Sequence, residues 1–147
     1  MRPSTPLITV DAIIELIDYP GRPIVLIERL NPPHGWAIPG GFVDIGETLE
    51  AAVVREALEE TSLNINIKTL LGCYSEPERD SRGHTVSIVY VAEAKGQPVA
   101  QDDAKALDMF DIHGDLPELA FDHAKVLADY KDYLSGKRSA PVIPAGC

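Results

Sequence analysis

The stretch that decides the fold is GFVDIGETLEAAVVREALEETSL, residues 41–63. Residues 48–61 contain no Gly or Pro and are rich in Ala, Leu and Glu, so the sequence predicts a helix there. On a helical projection Glu56, Glu59 and Glu60 fall within about 100° of one another. Apolar residues cluster on the opposite side, which is predicted to face a core: Ala51, Val54, Ala57 and Leu58.

Three carboxylates on one helix face repel one another, and a bound cation removes that repulsion. Mg²⁺ prefers oxygen ligands and leaves positions for phosphate oxygens. The plainer interpretation is a solvated acidic surface, which the ExxEE pattern alone favours. The neighbouring residues argue for the metal. Gly40 and Gly41 let backbone carbonyls approach an ion closely, and Arg55 can bind a carboxylate such as Glu47 with two nitrogens.

The stretch resembles the Nudix signature: Gly, five residues, Glu, seven residues, Arg-Glu, an aliphatic residue, any residue, Glu-Glu, any residue, Gly and an aliphatic residue. Every charged position is filled, and the matching residues are Gly41, Glu47, Arg55, Glu56, Glu59, Glu60 and Leu63. There are two departures, because Ala57 stands for the aliphatic residue and Ser62 for the closing Gly. That Gly normally ends the helix with a positive φ, which costs Ser62 about 1 kcal/mol of strain or moves the helix end.

The resemblance implies an α/β protein, an α/β/α sandwich with a central mixed sheet, that hydrolyses a nucleoside diphosphate linked to another group. It implies Mg²⁺, with Mn²⁺ as the alternative, bound by Glu56, Glu59, Glu60 and the Gly40 carbonyl. Arg55 and Glu47 would orient these ligands. The general base would be either Glu56 or an aspartate of the late loop, Asp102 or Asp103, of which Asp103 is the one we predict. The alternative for either aspartate is a helix N-cap.

The segment YSEPERDSRGHTVSIVY, residues 74–90, resembles the one that follows the signature in small ADP-ribose pyrophosphatases of the family. In them a proline at the position of Pro77 marks a preference for ADP-ribose. The implied substrate is therefore ADP-ribose, and the products are AMP and ribose 5-phosphate. The nearest alternative is a nucleoside triphosphate pyrophosphohydrolase of the housecleaning type, acting on substrates like 8-oxo-dGTP. A more distant alternative is a non-catalytic ligand sensor with a Nudix fold.

Five further residues are predicted to contact the substrate. The arginines are suited to a diphosphate, and the aromatic residues to stacking on a base or to substrate contact: Arg29, Arg79, Arg82, Trp36 and Phe42. Plainer roles stay open, because Trp36 fits core packing, Arg29 fits a surface charge, and residues 76–84 fit a solvated loop with paired charges.

The remaining sequence alternates strand and loop patterns. Apolar runs predict strands at 6–18, 23–30, 36–38, 65–75 and 84–94. A short segment follows at 107–112, and helical spacing returns at 119–134, where His123 is expected to pack among apolar neighbours. We expect one domain over 1–136, with 137–147 as a flexible tail.

The composition limits the kinds of molecule that the chain is expected to bind. The net charge of −10 opposes binding to nucleic acid or to anionic membranes, while a bound cation would still admit a small nucleotide. No apolar run is long enough to span a bilayer, and Cys73 and Cys147 lack metal-ligand spacing, so we expect a cytoplasmic protein without disulfides. Relatives are often homodimers, and the apolar first strands are candidates for such an interface.

Overall fold

One mixed β-sheet organises the chain. The structure is a computed structural model that describes residues 2–101 and 104–144. Its elements in chain order are β1 (Leu7–Leu16), β2 (Ile24–Arg29), β3 (Trp36–Ala37), β4 (Gly40–Phe42), α1 (Leu49–Thr61), β5 (Asn66–Tyr74), β6 (Thr85–Ala94), β7 (Ala104–Phe110) and α2 (His123–Leu134). Of the short segment expected at 107–112, residues 107–110 belong to β7, which begins at Ala104 and pairs with β2.

The strand order places the N-terminal strand in the middle of the sheet. The main path runs β3-β2-β1-β6-β5, with β4 paired to β1 and β7 paired to β2. β1 and β6 are parallel along their length, and the other pairs of strands are antiparallel. The predicted mixed sheet is therefore confirmed.

Each face of the sheet carries one helix, because side chains along a strand alternate between the two faces. From β1, Val10, Ala12 and Ile14 enter the core that α1 covers, whereas Ile13 enters the core that α2 covers. α2 contributes Val126, Leu127 and Tyr130 to this second core. The result is the predicted α/β/α sandwich.

The predicted apolar face of α1 is right for Ala57, which is buried, and for Val54, which is partly buried against the same core, but wrong for the other two residues. Ala51 is exposed and Leu58 is 45% exposed, and the residues that the helix buries are Ala52, Val53, Ala57 and Thr61. At about 100° per residue, Glu56 and Glu60 fall between Ala52 and Val53. Two carboxylates therefore share the inward face with apolar residues, and the helix turns that face, rather than the more apolar one, toward the sheet.

The expected flexible tail differs from what the described residues show. The Val142 side chain is buried, and its N–H donates to the Leu71 carbonyl at 2.7 Å on the edge strand β5. Arg138 donates to the Asp129 carboxylate at 2.7 Å. Residues up to 144 thus pack on the domain, while 145–147 lie outside the described residues. Neither of the helices in the described part of the chain is long and apolar enough to cross a bilayer.

Candidate active site

A cavity of about 360 Å³ opens between α1, the sheet and two loops. Carboxylates, guanidinium groups and aromatic rings meet in its lining, which includes Asp11, Glu56, Glu60, Arg29, Arg79, Arg82, Phe42 and Phe121. The structure thereby brings the signature helix together with residues 79–82 of the loop before β6. Acidic and basic walls facing one cavity suit a ligand that carries phosphate and binds with a cation.

Gly40 and Gly41 lie where neighbouring atoms approach the backbone too closely for any side chain. A Cβ atom on Gly41 would lie 2.5 Å from the carboxyl carbon of Glu56, and one on Gly40 would lie 2.1 Å from the Val10 carbonyl oxygen. Both distances are far inside van der Waals contact, so any side chain at these positions would displace the site. The sequence predicts a close approach here; the atoms that approach belong to the Glu56 carboxylate at Gly41 and to Val10 and Asp11 of β1 at Gly40.

Arg55 joins the carboxylates of the signature. Its Nε and Nη2 donate to the two oxygens of Glu47 at 2.6 and 2.8 Å, and its Nη1 donates to Glu56 at 2.9 Å. The hydrogen bonds from Arg55 lower the pKa of Glu47 to about 2. Glu47 therefore anchors the guanidinium, which in turn holds Glu56 in a fixed position. This is the orienting arrangement expected of Arg55 and Glu47.

Glu60 is the carboxylate of the site whose hydrogen bonding is incomplete. Among the buried side-chain oxygen and nitrogen atoms of the described residues, its Oε2 is the one without a hydrogen-bond partner. Burial, and then the charge of Glu56, raise the pKa of Glu60 to about 9, while the Gly40 N–H bonds to the carboxylate and opposes that rise. Burial also raises the pKa of Glu56. Two adjacent carboxylates that resist ionisation, one with an orphaned oxygen, fit a divalent cation.

Glu59 does not join this pair. Its side chain is 46% exposed, lies 3.3 Å from Arg55 and is absent from the cavity lining. The described residues hold no preformed group of three His, Cys, Asp or Glu side chains arranged for a metal. The three predicted ligands are thus divided, with Glu56 and Glu60 in the cavity and Glu59 at its rim.

Sequence reasoning missed Asp11, which lies on β1 at the floor of the cavity. The residue is 7% exposed, the Ser87 hydroxyl donates to its Oδ2, and burial raises its pKa to about 6. A charged residue inside the apolar run ITVDAII was the available signal. His123 lies nearby, buried and accepting the Ile38 N–H on Nδ1 at 3.0 Å, and burial lowers its pKa to about 3. The residue packs in the core and also lines the cavity, so its packing role stays a prediction.

Two of the predicted arginines line the cavity beside an aromatic ring. The Arg29 guanidinium lies 4.8 Å from the centroid of the Phe121 ring, and its Nε donates to the Pro33 carbonyl at 2.8 Å. The Arg82 guanidinium lies 5.4 Å from the ring centroids of both Phe42 and Phe121. Phe121 was not predicted, although its φ of 55°, rare for a residue other than glycine, marks it as unusual.

Arg79 and Trp36 have other primary partners. Arg79 donates to both oxygens of Asp122, at 3.0 and 2.7 Å, and to the Thr85 hydroxyl at 2.8 Å, so its side chain is almost fully buried. It lines the cavity as part of a fixed ion pair. Trp36 lies outside the lining and packs edge-on against Phe110, with 5.3 Å between ring centroids. The packing alternative for Trp36 is the one its surroundings favour.

The late loop approaches the signature helix from its C-terminal end. The Val99 N–H donates to the Thr61 carbonyl at 2.8 Å, and the Gln101 N–H donates to the Glu60 carbonyl at 3.2 Å. Ser62 ends the helix in the left-handed region, with φ 64°, as expected for a residue in the place of glycine. The predicted base Asp103 and its neighbour Asp102 lie outside the described residues.

Comparison with known proteins agrees with this geometry. The family model described as NUDIX domain matches residues 7–130. The chain is 48% identical over 134 residues to the ADP-ribose pyrophosphatase of Methanocaldococcus jannaschii, covering 89% of this chain and 76% of that protein. It is 32% identical to an ADPR-responsive transcriptional repressor of Acinetobacter baylyi, covering 80% of this chain and 54% of that protein.

A solved structure gives the same result. The NUDIX domain of Shewanella oneidensis NrtR, crystallised with ADP-ribose, superimposes with a TM-score of 0.75 at 28% identity. The match covers 89% of this chain and 90% of that domain. The chain belongs to the Nudix family and is a Nudix hydrolase. Nudix ADP-ribose pyrophosphatases depend in general on a divalent metal.

Proposed function

We propose that this chain hydrolyses ADP-ribose to AMP and ribose 5-phosphate in a Mg²⁺-dependent reaction. The observation that carries the proposal is the pair Glu56 and Glu60 facing Arg29 and Arg82 across one cavity. The similarity to an ADP-ribose pyrophosphatase and to a domain that binds ADP-ribose supports the choice of substrate.

The charges of the cavity explain why a cation is needed. A diphosphate repels the carboxylates of Glu56, Glu60 and Asp11, and the chain as a whole carries a net charge of −10. We infer that Glu56 and Glu60 hold Mg²⁺ or Mn²⁺, with Glu59 and the Gly40 carbonyl as the further predicted ligands. When bound, such an ion neutralises diphosphate charge and lowers the pKa of an attacking water.

Side chains of the protein bind and orient the other groups that take part in the reaction. Arg29 and Arg82 are suited to phosphate oxygens, since a guanidinium offers paired donors to an oxyanion. Arg55 and Glu47 keep Glu56 in position. The proton of the attacking water goes to Glu56 or to the predicted base Asp103. Arg79 is paired with Asp122, so we infer that it supports the floor of the cavity and does not make the first contact with the substrate.

A substrate panel tests the proposal. The protein is incubated with ADP-ribose, dGTP and 8-oxo-dGTP, in Mg²⁺, in Mn²⁺ and in chelator. We expect ADP-ribose to be hydrolysed at the highest kcat/KM, with release of AMP and with no turnover in chelator. Faster turnover of the guanine nucleotides would reject ADP-ribose in favour of the housecleaning alternative.

A second candidate is ADP-ribose sensing without turnover, because the chain also resembles a transcriptional repressor that responds to this ligand. The Glu60→Gln variant separates the two. An enzyme loses most of its turnover in this variant, whereas a sensor shows no turnover in the wild type and keeps its affinity for ADP-ribose in the variant.

We also infer, from its acidic charge, a protein that binds small nucleotides rather than nucleic acid or membranes. A cytoplasmic location is inferred from the sequence, whose two cysteines do not predict a disulfide framework. A homodimer through the apolar first strands is proposed by analogy with relatives. The exposed side chains of Leu7 and Ile8 on β1 support that choice of surface.

A further inference from the structure

A second cavity, of about 440 Å³, adjoins the first. The N-terminal segment 4–7 forms one side of it, and residues 83–85 form the other. Phe42, Asp80 and Arg82 line both cavities. These three side chains are therefore a partition between two adjacent spaces.

Arg82 is the fixed part of the partition. Its Nε and Nη2 donate to the two oxygens of Asp80 at 3.0 and 2.8 Å, and its backbone N–H donates to the same carboxylate at 2.9 Å. The Asp80 side chain is 2% exposed. A guanidinium has five N–H donors, and Asp80 engages two of them. The group is thus held in place by a buried anion while donors remain for a phosphate oxygen.

The lining of the second cavity suits a flat heteroaromatic ring better than a sugar phosphate. Phe42, which is 41% exposed, offers an aromatic surface, and Pro6 and Leu7 add apolar contact. Ser4 and Thr5 supply hydroxyl groups, which both donate and accept hydrogen bonds as ring nitrogens and amino groups require. Stacking on an aromatic side chain is the usual way for a protein to bind an unpaired base.

We propose that the second cavity binds the base of the nucleotide, with Phe42 and Arg82 as specificity-determining residues. This inference rests on the proposed function and deepens it. The diphosphate lies in the first cavity, between the carboxylates of α1 and Arg82. The base passes the partition and stacks on Phe42, against the N-terminal segment. The sugar at the other end of the substrate stays on the first cavity's side.

Two variants test the assignment: one changes the second cavity alone, and the other changes the partition that both cavities share. Thr5→Trp fills the space from an exposed position where a large side chain does not disturb the core. Phe42→Ala removes the stacking surface. The measurements are KM and kcat for ADP-ribose, and the inhibition constants of the two products, AMP and ribose 5-phosphate. The matched control is Ile45→Ala, a fully exposed apolar residue that lines neither cavity.

In both variants we expect KM for ADP-ribose and the inhibition constant of AMP to rise about tenfold, the scale of one lost base stack. The inhibition constant of ribose 5-phosphate should stay within about twofold, as should every constant of the control. A rise for ribose 5-phosphate instead of AMP would assign the second cavity to the sugar and overturn the inference. Unchanged constants for both products would overturn it as well.

Direct binding of AMP separates this inference from the proposed function. If the wild type fails to hydrolyse ADP-ribose, the proposed function fails, but AMP affinity is still measurable by calorimetry. AMP that binds the wild type and the control, and binds both cavity variants about tenfold more weakly, supports the base site. AMP that binds all four proteins equally, or none of them, rejects it.

Discussion

Glu15 is a buried carboxylate and Glu60 is a partly buried one with a buried oxygen, and the two are neutralised in opposite ways. Around Glu15 the protein supplies every partner: Arg22 at 3.1 Å, Lys68 at 3.6 Å and the Tyr130 hydroxyl on the other oxygen. Glu60 faces the active-site cavity and has an oxygen with no partner among the described residues. Its charge is suppressed by a raised pKa instead.

The difference shows which of the two is a structural group. A buried carboxylate costs several kcal/mol unless it is paired or protonated. Glu15 is paired within the fold, so its network serves stability. The Glu60 site holds two crowded carboxylates that need either protonation or an added cation, so the cost it imposes on the metal-free fold is tied to function. The same substitution, Glu to Gln, should therefore have opposite effects at the two positions.

The largest effect is expected for Glu60→Gln. The amide has the shape of the carboxylate but cannot supply its charge to a cation, so kcat/KM should fall about a thousandfold or more, equivalent to about 4 kcal/mol. The metal-free variant should be at least as stable as the wild type at pH 8, because Glu60 must take up a proton when the wild type folds at this pH, whereas the amide is neutral in both states. Steady-state kinetics and urea unfolding measure the two quantities.

The control for this variant is Glu76→Gln, which removes an exposed carboxylate outside both cavities. It should leave kcat/KM and the unfolding free energy near the wild-type values. A Glu60→Gln protein that kept its activity, or that unfolded more easily than the wild type in chelator, would show that Glu60 is a structural group like Glu15.

The contrast between Glu15 and Glu60 also bears on which features could be predicted from the sequence and which could not. The helix and the link between Arg55 and Glu47 were predictable, because both depend on spacings within one short segment. The inward face of α1 was not, since two carboxylates on it resemble a solvated surface until a cavity is seen beside them. A helical projection shows on which face the polar residues lie, but it does not show whether that face meets water or a cation site.

The other wall of the cavity depends on residues far apart in the chain. Arg79 is paired with Asp122, 43 positions away, and no local pattern marks that contact. Asp11 and Phe121 reach the cavity because β1 lies at the centre of the sheet and the loop before α2 folds over its end. Sequence reasoning therefore identified the arginines of this wall but not the groups that fix them.

The pH dependence of metal binding gives the second prediction. With a pKa of about 9 in the metal-free protein, Glu60 is protonated at pH 7.5, and a metal binds only its ionised form. Binding should release about one proton per ion, and affinity should rise about tenfold per pH unit between pH 6 and 8. Calorimetry in two buffers of different ionisation enthalpy measures the proton count.

The direction in which pH changes the stability follows from the same raised pKa of Glu60. Because folding raises this pKa above its ordinary value of 4.5, the stabilisation of the metal-free protein by protonated Glu60 is complete below about pH 4.5. It is lost as the pH rises through about 9. Glu76→Gln should reproduce the wild-type proton count. A count near zero for the wild type would mean that Glu60 is already ionised, and would remove the contrast with Glu15.

The smallest effect is expected for Glu15→Gln, which completes the comparison. The Gln oxygen can still accept from Tyr130, but its amide group meets Arg22 and Lys68 with donors in place of an acceptor. Both cations are more than a third exposed, so water takes over part of what they lose. We expect a loss of about 1–3 kcal/mol in unfolding free energy, the range for a broken buried hydrogen bond. Activity per folded molecule should be unchanged, because Glu15 lines neither cavity.

Urea unfolding and steady-state kinetics on the same samples test both statements. A variant that lost activity without losing stability would place Glu15 in the same class as Glu60.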